Sequence, residues 1–177
     1  HLGDYTQAVR TGRWQASKVF CLLDYPIREL DSMTLGIIGY GNLGRRVEQI
    51  ALGFGMQVAV CARPGSEAIP DGRITFDELL KNSDVISLHC PLSDATHNLI
   101  GRTQLEKMKS TAILINTARG GIVNENDLAN ALRQGEIGGA GIDVLPQEPP
   151  GADHPLLAAD IPNLVVSPYN DWGSDQS

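Results

Sequence analysis

The sequence holds only three cysteines, no run of basic residues longer than Arg45-Arg46, and no apolar stretch approaching the length of a membrane span. Each scarcity excludes something. Cys21, Cys61 and Cys90 are odd in number and lack the paired spacing of a metal site, and two of them sit inside apolar runs. They read as reduced, buried thiols of a cytoplasmic protein. His89 and Cys90 cannot easily share one ion, because neighbouring residues on a strand point to opposite faces, so no metal is expected. With 14 basic against 21 acidic residues the formal charge is −7. That balance opposes nucleic acid or an anionic membrane surface as the main partner. A small anionic ligand stays open, since a few local cations and helix ends suffice for it.

What is present fits one domain. A chain of 177 residues with 42% apolar and 20% charged residues can close one sizeable core but not two full domains. It begins at His1 rather than at a methionine, so a piece of a longer protein is expected. From residue 34 onward short apolar runs alternate with helix-period segments, the rhythm of βαβ units around a parallel sheet. The runs are Leu35 to Gly39, Gln57 to Cys61, Asp84 to His89, Ala112 to Asn116, Gly138 to Asp143 and Asn163 to Val166. Six strands suit an α/β, doubly wound parallel sheet.

Between the first two runs, Leu43, Val47, Ile50, Ala51 and Phe54 recur at steps of three or four, which predicts a helix burying that face. Thr75 with Glu78 and Thr103 with Glu106 have capping-box spacing, while Leu128, Ala131 and Leu132 form a buried stripe closed by Gly135. Residues 1–33 follow a different pattern. Tyr5 to Thr11 reads as a short helix, and Trp14, Phe20, Leu22, Leu23 and Tyr25 then offer more apolar surface than a linker needs. They either pack on this domain's own core or form an arm that a second subunit covers.

The stretch GIIGYGNLGRR carries a Gly-x-Gly-x-x-Gly spacing at Gly39, Gly41 and Gly44, which is weak evidence until its context is read. Here it follows a predicted strand and opens a predicted helix, the setting of a Rossmann-type dinucleotide site. Gly39 permits the sharp turn, Gly41 lets backbone approach a pyrophosphate, and Gly44 allows close helix-to-strand packing. First-turn amides at Asn42, Leu43 and Gly44, with the positive end of the helix dipole, supply the anion site. A methyl-donor site is the rival use of such a turn, disfavoured because it gives no reason for the later motifs.

The end of the second strand bears on which dinucleotide binds. A domain selecting NAD usually places Asp or Glu there to grip the ribose 2′-hydroxyl. This chain has Cys61, Ala62 and Arg63, followed by Pro64, so a guanidinium stands where a carboxylate is expected. Two unit charges ~4 Å apart interact by about 4 kcal/mol at a surface-like dielectric, enough to move the preference by orders of magnitude. NADP is favoured. NAD remains the alternative, with Arg63 solvated and Glu67 gripping the ribose.

Three further stretches, LHCPLSDATHNLI from Leu88, LINTARGGIVNENDLANAL from Leu114 and GGAGIDVLPQEPPGADHPLL from Gly138, join the glycine turn in one pattern. Together they resemble the nucleotide-binding domain of the D-2-hydroxyacid dehydrogenases, in particular the hydroxypyruvate and glyoxylate reductase branch. The resemblance spans nearly the whole chain. It implies a dinucleotide-binding domain over 34–177, a dimer contact through 1–33, and a separate substrate domain absent from this sequence. It implies that Arg119 grips the carboxylate and carbonyl of a 2-oxo acid, and that Glu148 partners a catalytic histidine. It further implies that Asp143 meets the nicotinamide carboxamide, and that Cys90, Pro91, Thr96, Thr117 and Ala118 line the coenzyme. One departure stands out: Tyr169 occupies the place of the family's histidine, and Asn170 and Asp171 also differ from the small or apolar residues expected there. A phenol titrates near 10, so it donates a proton far less readily than a histidinium. The resemblance thus leaves open a catalytically impaired, nucleotide-sensing protein like the corepressor relatives of the family.

Overall fold

The computed structural model describes residues 1–66 and 68–169. Glu67, Asn170 and Asp171 lie outside the described residues. Six strands, β1 (Thr34–Ile38), β2 (Gln57–Val60), β3 (Val85–Leu88), β4 (Ile113–Asn116), β5 (Gly139–Ile142) and β6 (Leu164–Val166), form one sheet in the order β2-β1-β3-β4-β5-β6. Every pairing is parallel. Each expected apolar run became a strand, because strands of a parallel sheet are covered on both faces and keep few polar residues to blur the signal.

The helices are α1 (Leu2–Arg10), α2 (Asn42–Gly53), α3 (Phe76–Asn82), α4 (Arg102–Leu105) and α5 (Glu125–Gln134). Successive residues of β1 serve opposite layers. Ile38 joins Ile86, Leu88 and Leu114 under leucines of α3, α4 and α5, whereas Leu35 and Ile37 pack with Val60 and with Ala51 of α2. The chain runs from β1 to β2 on one side and then crosses to β3 on the other, so the strand order reverses between β1 and β3. Ligands of open α/β sheets collect outside the carboxyl ends of the strands at such a reversal.

Three expectations needed correction. The stripe on α2 is not buried as a whole: Gly44 and Ala51 face the sheet, while Leu43, Ile50 and Phe54 are 72%, 60% and 61% exposed. Small residues at 44 and 51 let the helix sit close to β1, which turns the large side chains outward. The capping box at Thr75 and Glu78 forms, with bonds of 2.9 and 3.1 Å, but the one at Thr103 and Glu106 does not. Helix α4 begins two residues earlier, with the Gly101 amide donating to the Gln104 side chain and the Arg102 amide donating to Asp127 of α5. Glu106 instead pairs with Arg102 at 2.7 Å. The first helix starts at Leu2, earlier than Tyr5.

Beyond α1 the arm packs mostly on itself. Tyr25 stacks on His1 and meets Tyr5 edge-on, and Trp14 donates its indole hydrogen to the Phe20 carbonyl. Phe20 and Leu23 are 89% and 72% exposed, so the arm's large side chains do not bury themselves in this domain's core.

The loops after β4 and β5 meet backbone to backbone. A Cβ placed on Gly120 would lie 2.0 Å from the Leu145 carbonyl carbon and 2.3 Å from the Pro146 nitrogen, neither of which can swing aside. Replacing Gly120 by Ala is therefore expected to lower the unfolding free energy by about 1–3 kcal/mol, the usual cost of overpacking. Urea titration followed by circular dichroism reads this out, and an unchanged midpoint would contradict the contact.

Candidate functional site

Each glycine of the turn meets a different surrounding. Gly39 has φ +95°, and a Cβ there would stand 2.4 Å from the Cys90 nitrogen. A Cβ on Gly44 would stand 2.3 Å from the Gly39 carbonyl oxygen and 3.3 Å from Ile37. Gly41 is unlike both. Its backbone is extended, a conformation open to any residue, and a Cβ on it would meet nothing of this chain within 4 Å. No side chain caps α2, so the first-turn amides of Asn42, Leu43 and Gly44 point outward beside that open space. Leu43 contributes its backbone there, because its side chain faces solvent. These features fit a pyrophosphate approaching the helix N-terminus.

Next to the turn lies a cleft of about 570 Å³ between the carboxyl ends of β1, β2 and β3. Its walls include Ala62, Arg63, Pro64, Cys90, Pro91 and Thr96, so much of the expected coenzyme lining is gathered in one place. Burial pushes the Cys61 thiol up to about 11 and raises Cys90 as well, which leaves both protonated at neutral pH and inert as nucleophiles. Burial lowers the His89 imidazole, whose Nε2 pairs with the Ser87 hydroxyl at 2.9 Å. The Thr96 hydroxyl donates to the Pro91 carbonyl at 2.6 Å and accepts the Ser93 amide at 2.8 Å, which closes the 91–96 loop. Among the described residues no three potential metal ligands come together.

At the carboxyl end of β4 the buried Asn116 organises the next loop. Its side-chain nitrogen donates to the Arg119 carbonyl at 3.0 Å, and its oxygen accepts the Ala118 amide at 3.1 Å. Thr117, Ala118 and Arg119 are thereby folded over the strand end. The exposed Arg119 guanidinium donates to the Ala118 carbonyl at 2.6 Å and pairs with no carboxylate among the described residues. Neither Asn116 nor Gly120 was singled out in the sequence. An asparagine ending an otherwise apolar run was the available signal for the first.

Beyond β5 and β6 a second cleft, of about 390 Å³, has Asp143, Glu148 and Tyr169 in its lining. Asp143 is buried, its amide donates to the Asn116 carbonyl at 3.0 Å, and its carboxylate accepts the Ser167 hydroxyl. Glu148 accepts the Leu145 amide at 2.7 Å, so one of its oxygens is engaged in its own loop. Tyr169 has φ +55° and is half-buried. His154 belongs elsewhere: it pairs with Glu125 at 2.8 Å and ties its own turn to α5. Arg119 lines neither cleft, but β4 lies between the strands that carry them.

The comparisons with known proteins agree with this geometry. The profile described as D-isomer specific 2-hydroxyacid dehydrogenase, NAD binding domain, matches residues 1–170. The chain is 49% identical to a glycerate dehydrogenase of Methylorubrum extorquens, covering 98% of this chain and 54% of that protein. Other relatives are named hydroxypyruvate reductase and glyoxylate reductase. A D-lactate dehydrogenase from Aquifex aeolicus, solved with NAD and lactic acid, is 32% identical with a TM-score of 0.80, covering 99% of this chain and 56% of that one. An acyclic imino acid reductase solved with NADPH and D-Arg is 33% identical with a TM-score of 0.80, covering 97% and 54%. The chain spans about half the length of the curated relatives it matches. On sequence and fold together, this chain belongs to the D-isomer specific 2-hydroxyacid dehydrogenases, as their NAD-binding domain.

Proposed function

We propose that this chain is the coenzyme half of a reductase of small 2-oxo acids, converting hydroxypyruvate or glyoxylate to D-glycerate or glycolate. The observation that carries the reading is Arg119, a guanidinium with no carboxylate partner among the described residues, held at the carboxyl end of β4 on the same sheet edge as a cleft fit for a dinucleotide. A planar guanidinium meets a carboxylate at two points and polarises the adjacent carbonyl. A bound nicotinamide coenzyme would supply the hydride. Arg119 would orient the oxo acid to receive it, and Asp143 would hold the carboxamide end. NADP is our favoured coenzyme and NAD the alternative, since relatives of similar fold were solved with either one. Free thiols at Cys21, Cys61 and Cys90 suit a reducing, cytoplasmic setting.

Proton delivery is the weak step. The family's histidine is replaced by Tyr169, and one oxygen of Glu148 accepts the Leu145 amide. General acid catalysis is typically worth ~10²–10⁴ in rate, so a slow enzyme is expected. The same observation favours a second reading, a protein that senses the nucleotide and acts through partners. Restoring the proton donor separates the two. In the complete subunit, Tyr169→His should raise kcat for hydroxypyruvate by ~10²-fold or more, and Arg119→Ala should lower kcat/KM by ~10²-fold or more. If Tyr169→His leaves kcat at background while the coenzyme still binds, the sensing reading gains and the reductase reading falls.

The exposed arm residues, with the outward apolar face of α2, suit a homodimer. Sedimentation should find a dimer, and Phe20→Asp with Leu23→Asp should sediment as a monomer with native circular dichroism. A wild-type monomer would contradict the pairing.

A further inference from the structure

The coenzyme cleft has a second guanidinium that the sequence did not reveal. Arg73 follows β2 by more than ten residues, but Ile74 bridges back to Cys61 in parallel, with the Ala62 amide donating to the Ile74 carbonyl at 2.8 Å. That bridge carries Arg73 to the carboxyl end of β2, where it lines the same cleft as Arg63. Its guanidinium carbon stands 4.0 Å from the centre of the Tyr40 ring, and that of Arg45 stands 5.1 Å away. Tyr40 is itself fixed, because its hydroxyl donates to Glu48 at 2.5 Å.

A guanidinium stacked on a ring keeps its N–H edge free for an oxyanion and loses little freedom when it binds one. Neither Arg63 nor Arg73 pairs with a carboxylate among the described residues, although the protein as a whole is acidic. Arg63 is exposed and its field is screened by water, whereas Arg73 is half-buried and held in place. An arginine held in that state is placed to meet an oxyanion, and a ribose 2′-phosphate has suitable charge and geometry.

We propose that Arg73, seated on the ring of Tyr40, is the second of two guanidiniums that select a coenzyme bearing a 2′-phosphate, with Tyr40 as its positioning residue. This rests on the reading of the cleft as a dinucleotide site. The test is calorimetry of this chain with NADPH, NADH, adenosine 2′,5′-bisphosphate and AMP. Arg73→Ala is expected to weaken NADPH and the bisphosphate by ~10- to 100-fold, while NADH and AMP change by less than ~3-fold. Tyr40→Leu should lower the NADPH-to-NADH ratio in the same direction, and Tyr40→Phe should keep it. Thermal melts of each variant report folding separately. A wild type that binds NADH as tightly as NADPH, or an Arg73→Ala variant that keeps the wild-type ratio, overturns the role of Arg73 and leaves the dinucleotide reading standing. A wild type that binds neither coenzyme overturns both.

Discussion

The rest of this structure depends on backbone approaching backbone without a side chain between. Gly44 lies under the Gly39 carbonyl, and Gly39 lies against the Cys90 amide, each at a separation that a Cβ would reduce to well under 3 Å. These contacts lock the first turn of α2 to the ends of β1 and β3. The helix N-terminus then opens at the strand-order reversal, where its amides have no internal partner. Gly120 does the same between the loops after β4 and β5.

Function follows from what those contacts leave open. The β1–β3 end of the sheet keeps a cleft with two guanidiniums and inert thiols, suited to the anionic and adenosine parts of a coenzyme. The β4–β6 end keeps Arg119 beside a mostly apolar cleft that gathers carboxylates and a phenol. The two lie on one edge because every strand is parallel, so all carboxyl ends point the same way. A fold of this kind separates binding from chemistry along a single line of loops.

Much of this was legible in the sequence, for a physical reason. Strands buried on both faces read as uninterrupted apolar runs, and turn glycines tied to steric needs sit at fixed spacings. The tasks assigned to Gly39 and Gly44 reappear as contacts between named atoms. What the sequence hid was non-local. The start of α4 combines the local bond between Gly101 and Gln104 with one to Asp127 of another helix, and the second lies beyond any local capping pattern. The outward turn of Leu43, Ile50 and Phe54 depends on how closely α2 approaches β1. Arg73 reaches the cleft through an isolated bridge to Cys61.

Gly41 offers the most direct measurement, because neither its backbone conformation nor its neighbours in this chain require glycine. Only a ligand lying against it would. Calorimetric titration of Gly41→Val with NADPH and NADH should show a melting temperature lowered by no more than a few degrees, the cost of valine at the N-cap of α2, together with a loss of coenzyme affinity of ~10²-fold or more. A valine variant that binds either coenzyme as the wild type does would contradict the placing of the pyrophosphate at this turn, and with it the account of the site.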